Sequence, residues 1–225
     1  MNGNFLLLSI CFLFMGCSTA QENLLIPFTA TAPRLDLYSI PPLVTNFVIA
    51  GQPNHRAAST KAWLFWNRDH LIFAFDCEDA DFIASPPSSS EHDVDGQDRV
   101  EAFLWSGRDQ DTYYCIEIGA RGALHDYSAH FYRRFDDNWS LTGLEYAVAR
   151  TAKGYRVEGT ISRAAMKQMG FRLEPGVSWR LGLFRADFTG TNPDPNWITW
   201  IDAKGPQADF HVAKSFGRCT LGPEK

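Results

Sequence analysis

An all-β fold, an antiparallel β-sandwich of jelly-roll type with one short helix, is what this sequence predicts. Short apolar runs rich in aromatics recur between polar turns, and a single segment carries helix start and stop signals. The 225 residues are 45% hydrophobic and 14% aromatic, which is enough material for one large core and unlike a disordered chain.

The first stretch, "MNGNFLLLSICFLFMGCSTAQE", has an apolar run from Phe5 to Met15 followed by small residues. It is too short to span a bilayer comfortably and reads as a secretory signal over residues 1–20, leaving residues 21–225 as the domain. Its n-region has neither Lys nor Arg. "FMGC" resembles a bacterial lipoprotein box ending at Cys17, the expected lipid attachment point, while "STA" ending at Ala20 suits ordinary cleavage. Either outcome places the protein outside the cytoplasm, secreted or anchored to the cell envelope, with membrane contact only through a lipid. Cys77, Cys115 and Cys219 then remain, an odd number without CxxC spacing, so neither a disulfide framework nor a cysteine zinc site is indicated. One disulfide pair plus one buried thiol is compatible with that count.

From Pro27 to Pro53 the chain is rich in Pro, Thr and Asn, the composition of an extended lead-in or edge segment. "KAWLFW" and "LIFAFDC" follow across "NRDH" and read as a hairpin of largely buried strands. "RVEAFLW" with "TYYCIEIG", and "EYAVAR" with "YRVEGTI", form two more, the last joined by "TAKG", where Gly154 is expected to supply a positive φ. In "SRAAMKQMG", Ser162 is the N-cap and Gly170 the closing residue of the helix. "WRLGLFRAD", "NWITWI" and "GRCTLG" supply the remaining strands.

The strand "RVEAFLW" poses the functional question. Period-two alternation puts Glu101, Phe103 and Trp105 on one face and Val100, Ala102 and Leu104 on the other. A carboxylate sharing a face with aromatic rings suits a sugar: the rings stack on its C–H face and the carboxylate accepts hydrogen bonds from its hydroxyls. A buried glutamate paired with an arginine at a sheet edge is the structural alternative. Asp76, Glu78, Asp79 and Asp81, then Asp93, Asp95 and Asp98, offer hard oxygen ligands, with Asp79 and Asp81 singled out for a structural calcium and a solvated acidic rim as the alternative; the spacing is not that of an EF-hand. A hydrolase would need a carboxylate pair across a cleft, and Glu101, Glu117 and Glu158 are the strand-borne candidates. The six histidines have no HExxH or other metal-ligand spacing, no GxSxG elbow occurs, and most of these histidines are expected at the surface. Trp197 and Trp200 lie beside a loop rich in Pro and Asn that can present a ring to a ligand. A net charge of −5 with scattered Lys and Arg argues against nucleic acid as a partner.

Taken in order, "AWLFWNRDHLIFAFDCEDADF", "DRVEAFLW", "YYCIEIGARGALHDY", "YRVEGTI", "WRLGLFRAD" and "DFHVAKSFGRCTL" resemble the family 9 carbohydrate-binding module and its wider family of carbohydrate-binding-like domains. The resemblance covers nearly all of the chain after the signal. It implies a β-sandwich, often with structural calcium, attached to or co-secreted with enzymes that degrade polysaccharides. It further implies two tryptophans clamping a terminal sugar and a glutamate on the "VE" strand bonding its hydroxyls. Glu101 falls on that glutamate, the upstream tryptophan position falls near Asp95, and the downstream one falls on Phe210, followed by His211 as a hydrogen-bond donor. One ring is lost and the other is smaller, which predicts an altered glycan preference.

The expected function is therefore non-catalytic binding of a polysaccharide or oligosaccharide within carbohydrate catabolism, alongside co-secreted glycoside hydrolases. Carbohydrate contacts are expected from Glu101, Trp105, Trp197, Phe210 and His211. A small glycoside hydrolase acting on xylan or β-glucan, a haem-binding relative and a surface lipoprotein serving as an interaction scaffold are the rivals.

Overall fold

The computed structural model describes residues 23–30, 40–52, 54–87, 90–108, 111–190, 192–205 and 207–224. The expected signal segment and Cys17 lie outside them. In chain order the strands are β1 (Asn23–Ile26), β2 (Val48–Ile49), β3 (Thr60–Trp66), β4 (His70–Glu78), β5 (Arg99–Trp105), β6 (Tyr113–Gly119), β7 (Leu124–His130), β8 (Arg134–Asp136), β9 (Leu144–Arg150), β10 (Gly154–Ser162), β11 (Ser178–Thr189), β12 (Asn192–Thr199) and β13 (Gly217–Leu221). Among the described residues one α-helix, α1 (Arg163–Gln168), follows β10, and a 3-10 helix spans Glu91–Gly96.

All three expected hairpins form: β3 with β4, β5 with β6 and β9 with β10, each antiparallel. They divide between two sheets. One runs β3-β4-β10-β9; the other has nine strands along β1-β13-β11-β5-β6-β7-β8, with β12 and β2 added beside β11. The twelve-residue β11 makes the larger sheet continuous, because β5 flanks one side of it while β13 and then β12 share the other. The described parts of the lead-in sit on sheet edges, with Val44 bridging Ala62 and β2 pairing β12. In α1 the Ser162 hydroxyl accepts from Ala165 N at 3.2 Å and Gly170 takes φ +86, as the capping residues predict.

Gly154 is required for a different reason from the one expected. It is not at positive φ. It opens β10 so close to β4 that a Cβ would stand 2.0 Å from the Cys77 carbonyl oxygen. Cys77, Cys115 and Cys219 are all buried free thiols, which removes the disulfide pair from consideration. Three strands went unread, β1, β8 and β7; the last, "LHDYSAH", mixes two histidines, an aspartate and a serine into its length, yet five of its seven residues are buried.

The alternation along β5 separates two hydrophobic layers. Val100, Ala102 and Leu104 join Leu64, Phe73, Leu181 and Leu183 in the core between the sheets. Each such side chain, fully buried, contributes about 1.5–3 kcal/mol. Phe103 and Trp105 point the other way, into a second cluster with Tyr113, Cys115, Tyr127, Phe184, Phe210 and Phe216. This outer face is roofed by the segment that precedes β13, and the functional features lie there.

Candidate functional site

The register of the large sheet builds the site. Glu101 on β5 stands opposite Phe184 on β11 and Glu117 on β6, and Glu117 stands opposite His125 on β7. Two carboxylates directly opposed on one face repel. The counter-charge comes from Arg99, two residues before Glu101 and so on the same face: its Nε lies 2.9 Å from Glu101 Oε1 and 2.8 Å from Glu117 Oε2. Tyr127 donates its hydroxyl to Glu117 Oε1 at 2.7 Å. Arg99 Nη1 also donates to the Asp95 carbonyl at 2.7 Å, which ties the 3-10 helix to the sheet.

These groups line a cavity of about 320 Å³, within the size range of small-molecule sites. Its walls include Arg99, Glu101 and Glu117 from the floor, Trp197 and Phe210 on one side, and His211 on the roofing segment. Glu101 is only 2% exposed. Burial pushes its carboxyl up to about 8, the Glu117 charge adding to the shift and Arg99 opposing it. His211 is held down to about 4 by burial and the nearby Arg133, so it is a neutral ring; its Nδ1 lies 3.1 Å from the Tyr113 hydroxyl.

The raised Glu101 value has a consequence for stability. The folded protein keeps a proton that the unfolded chain, with its carboxyl near 4.5, has already released. The contribution of this group to stability is therefore full below the unfolded value and is lost as pH rises towards about 8. A melting series from about pH 5 to pH 9 is expected to decline, and Glu101→Gln to lose part of that slope. Asp98, which burial raises to about 7, supplies decline in the same direction in both proteins.

A second charged group lies between the sheets. Arg185 on β11 is fully buried and reaches the Glu78 carbonyl at 2.9 Å, Asp79 Oδ2 at 3.2 Å and Asp187 Oδ1. Asp79, Asp98 and Asp187 have ligand oxygens within 4.8 Å of one another. Asp98 accepts from the backbone N–H groups of Ile83 and Phe188. Asp81 is not in this group: its Oδ2 accepts from Gly190 N at 2.9 Å.

The profile of the family described as carbohydrate family 9 binding domain-like matches residues 37–223. The chain belongs to that family. Solved structures agree on the fold. A candidate carbohydrate-binding protein from Bacteroides uniformis ATCC 8492 superposes with a TM-score of 0.68 at 14% identity, over 89% of this chain and 99% of the other. A family 9 carbohydrate-binding module from Caldicellulosiruptor kristjanssonii in complex with cellotriose gives 0.62 at 12%, over 91% and 95%. The same organism's module in complex with glucose gives 0.58 at 14%, over 90% and 97%. No curated relative matches.

Within this family 9 domain the expected contact residues separate. Glu101, Trp197, Phe210 and His211 all line the cavity. Phe210 is 5% exposed and stacks flat on Phe184, with ring centroids 4.1 Å apart. Trp197 sits on β12 rather than on a loop, half-buried, with the Arg99 guanidinium 5.5 Å from its ring centroid. Trp105 is elsewhere: it shares the outer face but is buried against Phe131 and Phe216, and its Nε1 donates to the Arg108 carbonyl. Trp200 belongs to the inter-sheet core. Glu158 lies on β10 in the other sheet, away from the Glu101–Glu117 pair. Arg99, Tyr127 and His125 were missed. The signal for Arg99 was available in its i−2 relation to Glu101, whereas Tyr127 and His125 went unread with β7.

Proposed function

We propose that this domain binds a polysaccharide or oligosaccharide without catalysis of its own, in extracellular polysaccharide degradation and alongside co-secreted glycoside hydrolases. One observation carries the proposal: a buried carboxyl group, Glu101, held by Arg99, which also pairs with Glu117, lines a cavity whose wall includes the Trp197 ring. That combination matches a polyol with an apolar face, since charge-assisted hydrogen bonds and ring stacking serve the two kinds of sugar surface. Cello-oligosaccharides are the first ligands to test, because solved relatives hold cellotriose and glucose. The protein is secreted or held at the cell envelope through Cys17.

Structural calcium forms part of the same proposal. Asp79, Asp98 and Asp187 are three buried carboxylates against the single guanidinium of Arg185, a hard-oxygen set with negative charge in excess. The ion would hold the end of β11 to the loop after β4. Its role would be stability, with no part in sugar contact.

The experiment is a binding screen of the mature protein against cello-oligosaccharides, xylan and insoluble polysaccharides, with and without a calcium chelator. Saturable binding is expected, and Glu101→Ala is expected to weaken it by about 10–100-fold, because losing the carboxyl group leaves sugar hydroxyls without their buried partner at a cost of about 1–3 kcal/mol. The fold should survive because Glu117 keeps Arg99 paired. Unchanged affinity in the variant would remove Glu101 from the site, and release of reducing sugar would overturn the non-catalytic assignment. A melting temperature indifferent to chelator and to added calcium would remove the ion.

A further inference from the structure

We propose that His92, Asp95 and His125 form a binding site for one transition-metal ion of the zinc type at the rim of the cavity. The three come from two elements. His92 and Asp95 are three residues apart on the 3-10 helix Glu91–Gly96, whose three-residue turn brings positions i and i+3 to the same side. His125 projects from β7 on the face that carries Tyr127, and all three residues line the cavity.

The spacing suits a metal. Asp95 holds the two imidazoles apart, with His92 Nδ1 3.2 Å from its Oδ2 and His125 Nδ1 3.2 Å from its Oδ1. The ring centroids are 4.7 Å apart, and one ligand atom from each residue falls within 4.8 Å of the others. Ligands on a tetrahedral zinc, with bonds of about 2.0–2.1 Å, stand roughly 3.3 Å from one another. Each histidine already stands at about that spacing from Asp95, and admitting the ion requires the two imidazoles to close on one oxygen of it.

His125 gives the independent sign. Its side chain is 7% exposed, and its Nε2 is buried with no hydrogen-bond partner among the described residues. The atom it faces is Asp137 Oδ1, 3.7 Å away. With a proton on Nδ1 shared towards Asp95, a neutral His125 leaves Nε2 bare in a buried position. A metal on Nδ1 moves the ring hydrogen to Nε2, where it points at a carboxylate. Metal-ligating histidines are characteristically backed in this way, their second nitrogen donating to a carboxylate that fixes the ring.

Two imidazoles and a carboxylate select zinc or a neighbouring first-row ion over calcium, which takes six to eight oxygens. Three protein ligands leave a coordination position open, as in zinc sites that exchange a water for another ligand. Asp137 and Glu117 add negative charge around the site, with Arg99 opposing it. The site stands on its own geometry, whether or not the cavity takes a sugar.

The test is calorimetric titration of the chelator-stripped, calcium-saturated protein with Zn²⁺ in the absence of any sugar. One equivalent is expected to bind at micromolar or lower concentration. His92 is chosen for removal because its side chain is 61% exposed and its loss does not threaten the fold. His92→Ala should abolish that binding, and Asp137→Asn should weaken it by about 10–100-fold as an outer-shell partner. Co²⁺ should give the visible absorption of a four-coordinate centre in the wild type and not in His92→Ala. The absence of saturable Zn²⁺ binding, or affinity unchanged in His92→Ala, would overturn the site and leave His125 and Asp95 as a simple ion pair. Neither result bears on sugar binding, which is measured separately through Glu101.

Discussion

Arg185→Met is expected to cost about 3–5 kcal/mol, a large share of the about 5–15 kcal/mol that holds a domain folded. The guanidinium is fully buried and links the sheets, bonding the Glu78 carbonyl at 2.9 Å and the Thr60 hydroxyl at 3.3 Å. It is also the positive charge beside Asp79 and Asp187. Methionine fills a similar volume but leaves those carboxylates and the neighbouring Asp98 as uncompensated buried charge, which costs far more than the ion pair itself is worth. Urea denaturation measures the loss, and acid should recover part of it, because protonation removes the repulsion. A change below about 1 kcal/mol would show that the carboxyl groups around Arg185 are already protonated in the folded protein.

Arg99→Met is the second large effect, and it differs in kind. Here too a guanidinium between buried carboxylates is removed, with an expected cost of about 3–5 kcal/mol. But Arg99 also anchors the Glu91–Gly96 helix through the Asp95 carbonyl and lies against Trp197. The variant should therefore lose glycan binding together with stability, whereas Glu101→Ala loses binding alone. Adding Glu101→Gln and Glu117→Gln to Arg99→Met should restore much of the stability, since the penalty is charge repulsion rather than lost packing. Binding should remain absent. If the triple variant is no more stable than Arg99→Met, the arginine acts through its packing and its bond to the helix.

Reading period-two alternation was enough to place Glu101 on the correct face, because a strand's side chains are fixed to one face or the other by backbone geometry. Its partner was less accessible. Glu117 reaches the same cavity only because β5 and β6 pair with position 101 opposite 117, and that register is set across the sheet. β7 was overlooked for the same reason that it matters. A strand carrying His, Asp and Ser lacks the apolar signature, and its buried Asp126 is accommodated by bonds from Leu141 N and the Ser140 hydroxyl in the segment after β8. Among the six histidines His125 is the buried exception to the expected surface placement, and its neighbours are Asp95 and Asp137. Asp79 and Asp81 looked equivalent in an acid-rich run, yet Asp79 is turned inward to Arg185 and Asp81 outward to Gly190.

By itself the sequence determined the all-β class, the three hairpins, the helix with its caps and the two-faced character of β5. These depend on backbone propensity and on which neighbours along the chain are apolar, both local quantities. Only the tertiary structure decided that Glu101 meets Glu117, that Trp197 stands beside the cavity while Trp105 does not, and that two histidines meet at Asp95. Those are contacts between segments tens of residues apart, fixed by strand order and by the energy of pairing buried charges, neither of which is written in any one stretch of the chain.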